Sequence, residues 1–269
     1  MTLHKCSVCG RLSPRRSSSW VVICLLAIGS GWGLFPVRSE GADHPLVPAI
    51  QLAEASQKKL ESVKDYTATF HKKELVNQKQ IDQRMLIKVR EEPFSVYMKY
   101  DKPNQGREVL FVDGQNKGQL LVHEGGVLSS VVGTLQFAPT SPQVMAENRH
   151  PITQVGISKM LETIIRQWQE EQKYDDVEVK YYPNAKINQH PCQAIETSHS
   201  QQRPEFKFQL TRLYLDKETQ LPIRVEQYAW PSRPGDAPRL VELYMYSNLQ
   251  PNVGLTHADF DRKNRKYSF

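Results

Sequence analysis

Phe94-Ser-Val-Tyr-Met-Lys-Tyr100 puts Phe94, Val96, Met98 and Tyr100 on one parity and Ser95, Tyr97 and Lys99 on the other. Successive side chains of an extended chain point to opposite faces, so this alternation predicts a strand with one apolar and one wetter face. Upstream, Tyr66-Thr-Ala-Thr-Phe70 begins another strand, and residues 81–89 continue with Met85, Ile87 and Val89 on one face. Downstream, residues 106–112 run into Asp113-Gly114, a hairpin signal, and residues 118–123 run into Glu124-Gly-Gly126. These are successive antiparallel strands. Residues 133–151 hold Pro139, Pro142 and Pro151 with no sustained period, which predicts a connection.

Two stretches change period. Residues 46–63 place Val47, Ile50, Leu52, Ala53, Leu60 and Val63 close to a 3.6-residue repeat, and residues 157–171 do the same with Ile157, Met160, Leu161, Ile164, Ile165 and Trp168. Further strand-like runs cover 177–182, 192–197, 206–215, 221–230 and 239–246, the last alternating Val241, Leu243 and Met245 with Glu242, Tyr244 and Tyr246. No repeat or Gly/Ser linker divides the series. The expected fold is a single α+β domain over residues 43–269, a curved antiparallel β-sheet forming an incomplete barrel, with helices over its apolar face.

The first 42 residues read differently. A basic stretch with Arg11, Arg15 and Arg16, an apolar run over 20–35 and a short segment near Ser39–Ala42 have the layout of a cleaved secretion signal, so the mature chain is expected in the periplasm or outside the cell. The apolar run is short of the ~20 residues of a spanning helix, so no integral membrane segment is expected after cleavage. Removing the signal takes five basic residues and one acidic one from the full 35 and 29, leaving 30 and 28 and a net charge of +2. That near balance argues against nucleic acid as a partner. Cys6, Cys9 and Cys24 leave as well, so Cys192 stands alone and is expected as a small buried residue. Cys6-x-x-Cys9 has no second pair, and no metal or cofactor is expected.

Four stretches then carry a family resemblance. Residues 60–70 look like a helix leading into a first strand. Pro93-Phe-Ser-Val-Tyr-Met-Lys-Tyr-Asp-Lys-Pro103 with Val109-Leu-Phe-Val-Asp-Gly114 is similar to a strand, a lysine-proline turn and a strand ending in Asp-Gly. Leu213-Tyr-Leu-Asp-Lys-Glu-Thr-Gln-Leu-Pro222 looks like a late hairpin, and residues 246–260 like a final strand with an Asp-Phe terminus. Together they resemble the LolA/LolB-like lipoprotein-carrier superfamily of secreted bacterial proteins. The likeness is greater to a family of such proteins with unassigned function than to the carriers themselves. The resemblance implies a LolA-like incomplete barrel closed by helices, and carriage of lipoprotein only by analogy of fold.

Chemistry is sparse. His71, His123, His150, His190, His199 and His257 are scattered singly, no nucleophile elbow or glycine-rich loop is present, and Glu91-Glu92 and Asp175-Asp176 sit where turns are expected, so no catalytic residue is assigned. The expected function is a non-enzymatic, exported binding protein holding a lipid, an acyl chain or a lipoprotein. Met85, Ile87, Phe94, Val96, Met98, Val109, Phe111, Leu243 and Met245 are expected to line its concavity, with Ile157, Met160, Leu161, Ile164 and Trp168 as a lid. A rival reading takes Tyr228, Trp230, Tyr244 and Tyr246 as an outer aromatic face that docks an envelope protein in a signalling or scaffold role. A second rival is an exported hydrolase.

Overall fold

The computed structural model of the chain describes residues 44–126, 133–233 and 235–269. The signal reading of residues 1–42 lies outside them. Helix α1 (Leu46–Leu60) buries Leu46, Ala49, Ile50, Ala53 and Leu60 at three- and four-residue spacing. Strands β1 (Asp65–Val76), β2 (Lys79–Arg90), β3 (Ser95–Lys102), β4 (Glu108–Val112), β5 (Leu120–His123) and β6 (Thr134–Phe137) follow. Next come the short helix α2 (Pro142–Met145) and α3 (Ile157–Glu171). The remaining strands are β7 (Glu178–Ile187), β8 (His190–Ser198), β9 (Leu210–Asp216), β10 (Pro222–Ala229) and β11 (Arg239–Pro251).

All eleven strands form one antiparallel sheet in the order β6-β5-β4-β3-β2-β1-β11-β10-β9-β8-β7. The sheet stays open, with β6 and β7 as its edges. Its centre is the pair β1 and β11, in which Phe70 faces Tyr246 and Lys72 faces Tyr244. The hairpin turns β1–β2 and β7–β8 use Asn77-Gln78 and Asn188-Gln189, both residues of each pair at positive φ, which is the backbone of the two-residue type I′ turn. One face, here called inner, carries α1 and α3, which pack on each other, and holds the main core.

The order of α3 against the sheet is fixed at its first turn. The amides of Gly156 and Ile157 donate to the hydroxyls of Tyr246 (3.2 Å) and Tyr66 (3.0 Å), so two otherwise orphaned donors are satisfied by phenols rising from β11 and β1. Gly156 sits at φ 121°, and a Cβ there would lie 3.1 Å from the Tyr66 hydroxyl. Glycine suits both the backbone and the close approach. Further along, Trp168 is fully buried and its indole N–H donates to Thr197 Oγ1 at 3.2 Å on β8.

Several expectations change. The stretch 133–151 contains β6 and α2 in addition to its turns, and residues 206–209 lie outside β9. Tyr97 is not on a wet face: it is 2% exposed, because the C-terminal segment crosses the outer side of β3 to β5. Tyr267 stacks on Tyr97 with centroids 4.0 Å apart, Phe260 is buried beside it, and the Ser268 amide donates to Glu108 at 2.9 Å. Cys192 is buried, as expected, on the outer face with Ile187 and Ile223.

Candidate functional site

The alternation that begins at Tyr66 does not end when the sequence turns polar. Tyr66, Ala68 and Phe70 share a parity with Lys72 and Glu74, and strand β1 carries all five to the inner face. Across the pair, β11 brings Glu242, Tyr244 and Tyr246 to the same side. An apolar floor thus grades into a buried charged patch along two neighbouring strands.

Over this patch lies the stretch Glu147-Asn-Arg-His150, part of the connection between α2 and α3. Arg149 donates through Nε to Glu242 Oε1 (2.6 Å), through a terminal nitrogen to the Leu75 carbonyl (3.0 Å), and through its amide to Glu74 Oε2 (3.1 Å). His150 Nε2 is 3.2 Å from Glu242 Oε2. Lys72 donates to Asn148 Oδ1 and the Glu147 carbonyl and sits 3.3 Å from Glu74. Arg107 bridges Glu124 and Glu147, both at 2.9 Å. The stretch is a strap, tied to β1, to Arg107 just before β4 and to β11 by charged hydrogen bonds, the stronger kind.

Beneath the strap and α3 are two cavities. The first, about 80 Å³, has Phe70, Met85, Met98, Met160, Ile164 and Val225 on its apolar side and Lys72, Glu74, Glu242 and Tyr244 on its polar side. The second, about 190 Å³, lies against β3 to β6, with Val109, Leu120, Val122 and Phe137 below and Arg107, Glu124 and Glu147 at its margin. Met98, Tyr100, Asn148, His150 and Val155 line both. The floor is therefore continuous across β3, and the chain from Asn148 to Val155 is what stands between the two spaces.

Burial tunes these groups. Desolvation pulls the Lys72 ammonium down in pKa against the opposing pull of Glu74. Burial lifts Tyr244 far above the ordinary phenol range, helped by Glu242 and Glu74, so it stays protonated and donates to Glu74 at 2.5 Å. The hydrogen bond to Glu242 raises His150 despite desolvation. Burial pushes Glu242 up, but the hydrogen bond and charge of His150 and the charge of Arg149 outweigh it and hold the carboxyl low.

The signs give a pH window for the strap. His150, raised in the folded state, adds stability in full below its unfolded value of about 6.5 and loses it as pH climbs through the folded value; Glu242, lowered, adds stability above its unfolded value of about 4.3 and loses it as pH falls through the folded one. The difference in melting temperature between the native chain and His150→Gln is expected to be widest near pH 5 to 6.5 and to shrink at alkaline pH. A difference independent of pH would show that His150 acts by packing alone.

Of the residues expected to line a concavity, Met85 and Met98 line the first cavity, and Met98 and Val109 the second. Ile87, Val96 and Phe111 are core residues behind the floor, and Phe94 packs at its edge, 6.3 Å from Phe111. Leu243 and Met245 are on the outer face, where Met245 packs with Ile187, Cys192 and Ile223, and neither lines these cavities. Both sides of β11 are buried, so its aliphatic parity did not mark the inner one. Of the lid residues, Met160 and Ile164 face the first cavity while Ile157, Leu161 and Trp168 fill the core. The aromatic quartet divides: Tyr244 and Tyr246 are inner, whereas Tyr228 bonds Glu226 and Arg212 on the outer face and Trp230 donates to the Phe206 carbonyl. Lys72, Glu74, Glu242, Arg149 and His150 escaped the sequence reading; the signal for the first two was the unbroken parity from Tyr66.

Other candidate chemistry stays dispersed. His71 is paired with Asp82 (2.7 Å) on β1, and His123 lies four strands away on β5. Glu91 accepts from Ser158, and Asp176 from Ser200 and Gln201. Among the described residues no group of His, Cys, Asp and Glu is arranged to hold a metal, and no helix is long and apolar enough to cross a membrane.

Comparison with known proteins gives a family and a set of folds. A family model described as "Protein of unknown function (DUF1571)" matches residues 63–269. No curated protein matches the sequence. Among solved structures, an uncharacterized conserved protein from Thermus thermophilus aligns at 9% identity and TM-score 0.44, over 82% of this chain and 97% of that one. The lipoprotein LppX of Mycobacterium tuberculosis aligns at 11% identity and TM-score 0.44, over 80% and 100%. A LolA superfamily protein from Nitrosomonas europaea aligns at 11% identity and TM-score 0.32, over 79% and 96%.

Proposed function

We propose that this chain, which belongs to the DUF1571 family of proteins of unknown function, is an exported, non-enzymatic binding protein that holds a lipid acyl chain between its sheet and the cover made by α3 and the strap. Export rests on the signal-like layout of residues 1–42. The observation that carries the binding reading is the shared floor: Met98 and Tyr100 run under both cavities, with the chain from Asn148 to Val155 between them.

Size favours an elongated guest. An apolar cavity of roughly 150 Å³ takes a benzene-sized molecule, so the space of about 190 Å³ admits a ring or a short chain as it stands. A longer chain would run on over Met98 into the first cavity once the strap gives way. Each buried methylene contributes ~0.8 kcal/mol, so eight to ten of them would supply roughly 6 to 8 kcal/mol before ordering costs. Met85, Met98 and Met160 suit the role, being unbranched side chains that repack around irregular shapes.

The test is native mass spectrometry of protein purified from its own host, with organic extraction of bound material, followed by titration with an acyl probe. Val155→Trp fills the junction of the cavities from a half-buried position. It is expected to weaken probe binding at least tenfold while shifting the melting temperature by only a few degrees. A native protein that carries no lipid and binds no acyl probe, charged or neutral, would overturn the reading.

A further inference from the structure

Charged groups line both cavities, yet none of them is free. On the first, Lys72 is paired with Glu74 at 3.3 Å, and Glu242 with Arg149 at 2.6 Å and His150 at 3.2 Å. On the second, Arg107 is held by Glu124 and Glu147 at 2.9 Å each. Lys159, at the solvent side of α3, pairs with Glu162 at 3.2 Å. Four carboxylates in and under the strap thus face one lysine, two arginines and one histidine. A buried cation already committed to a carboxylate cannot receive an anionic headgroup without stripping its partner, and a buried carboxylate left alone is costly.

The uncommitted polar groups are neutral. Among the described residues the Tyr100 hydroxyl, on a side chain that lines both cavities, has no hydrogen-bond partner. Gln227, on the floor of the first cavity, uses its amide N–H to bond Gln167 at 2.7 Å and leaves its carbonyl oxygen without a partner among the described residues. A hydroxyl can donate to an acceptor and accept from a donor, and so can meet both of these groups; an ester can only accept from the Tyr100 hydroxyl, and a phosphate, sulfate or carboxylate would look for a cation.

From this pairing, and resting on the binding reading above, we infer that the ligand is a lipid with an uncharged, hydroxyl-bearing headgroup, a partly acylated glycerol or a fatty alcohol, and that the site discriminates against anionic lipids. The headgroup sits at Tyr100, near the strap, and the tail lies along the methionine floor. Specificity here is a difference between two affinities, produced by leaving the anion nothing to pair with.

Two probes with the same pyrene-labelled dodecyl tail separate the possibilities, one ending in the alcohol and the other in its permanently ionised sulfate monoester. Fluorescence titration of the full mature chain is expected to show the alcohol binding at least tenfold tighter. Glu147→Gln removes one of the two carboxylates on Arg107 from a half-exposed position, and it should raise the affinity for the sulfate relative to that for the alcohol several-fold. Glu124→Gln serves the same purpose from the other side of the guanidinium. If the sulfate binds the native chain as well as the alcohol does, the headgroup inference falls and the acyl-binding reading stands. If neither probe binds, both fall.

Discussion

Trp168→Ala is expected to cost about 3 to 5 kcal/mol of unfolding free energy, the range for deleting a fully buried large aromatic. Trp168 is the largest of the fully buried side chains, and it joins α3 to β8 both by packing and by the bond from its indole N–H to Thr197 at 3.2 Å. Removing it leaves a void between helix and sheet and an unsatisfied hydroxyl on β8. Trp168→Phe separates the two contributions: it keeps most of the packing and loses the bond, and should cost about 1 to 2 kcal/mol. Urea titration reads both, with the midpoint lowered at unchanged slope. A loss under about 1 kcal/mol for Trp168→Ala, far below the usual cost of such a deletion, would mean that α3 is not a structural cover, and the cavity beneath it would lose its roof as an explanation.

The second large effect is Glu242→Ala. Glu242 is 2% exposed and holds both Arg149 and His150, so its removal strands the Arg149 guanidinium at the buried end of the strap and takes from His150 the partner that raises its pKa. Breaking a buried pair from one side typically costs about 3 to 5 kcal/mol. Arg149 and His150 retain some access to water, each side chain being 28% exposed, which places the expectation lower, at about 2 to 3 kcal/mol. The double mutant with Arg149→Met should be less destabilised than the sum of the two singles, because the second change removes a charge that the first has stranded. Additive losses would show that strap and strand are not coupled through this pair.

The sequence announced the sheet wherever one face was apolar and the other polar, as in β3 and β4, and announced the helices by period. It was quiet where burial and polarity parted company. Strand β1 continues to Val76 through His-Lys-Lys-Glu, whose inner members Lys72 and Glu74 are 6% and 1% exposed; buried charge erased the hydrophobic signal while keeping the parity. Its turn is Asn77-Gln78, without the glycine that usually marks such a hairpin. In β11 both faces are buried, and choosing aliphatic residues over tyrosines inverted it, since the tyrosine hydroxyls are needed inside for Gly156 and Glu74. The outer cover of Tyr97 comes from residues 260–269, a contact between positions more than 160 apart that no local pattern reveals. The strap belongs to the same class: Arg149 and His150 gain their meaning only when β1 and β11, far apart in the chain, become neighbours.

The tyrosine hydroxyls at the start of α3 carry a consequence for the order of assembly. Tyr66 lies 91 residues before the amide it caps and Tyr246 lies 90 after its own, so the two caps reach the helix from opposite sides of the sequence. Contacts of such separation carry the loop-closure cost that slows folding. A nascent chain that has emerged only as far as β10 possesses the helix but just one of its caps, and the β1–β11 seam that carries both is still open. The roof of the cavity is thus seated in part by β11, the last strand of the sheet to be synthesised, so a chain that stops short of it lacks one of the two caps that fix the start of α3.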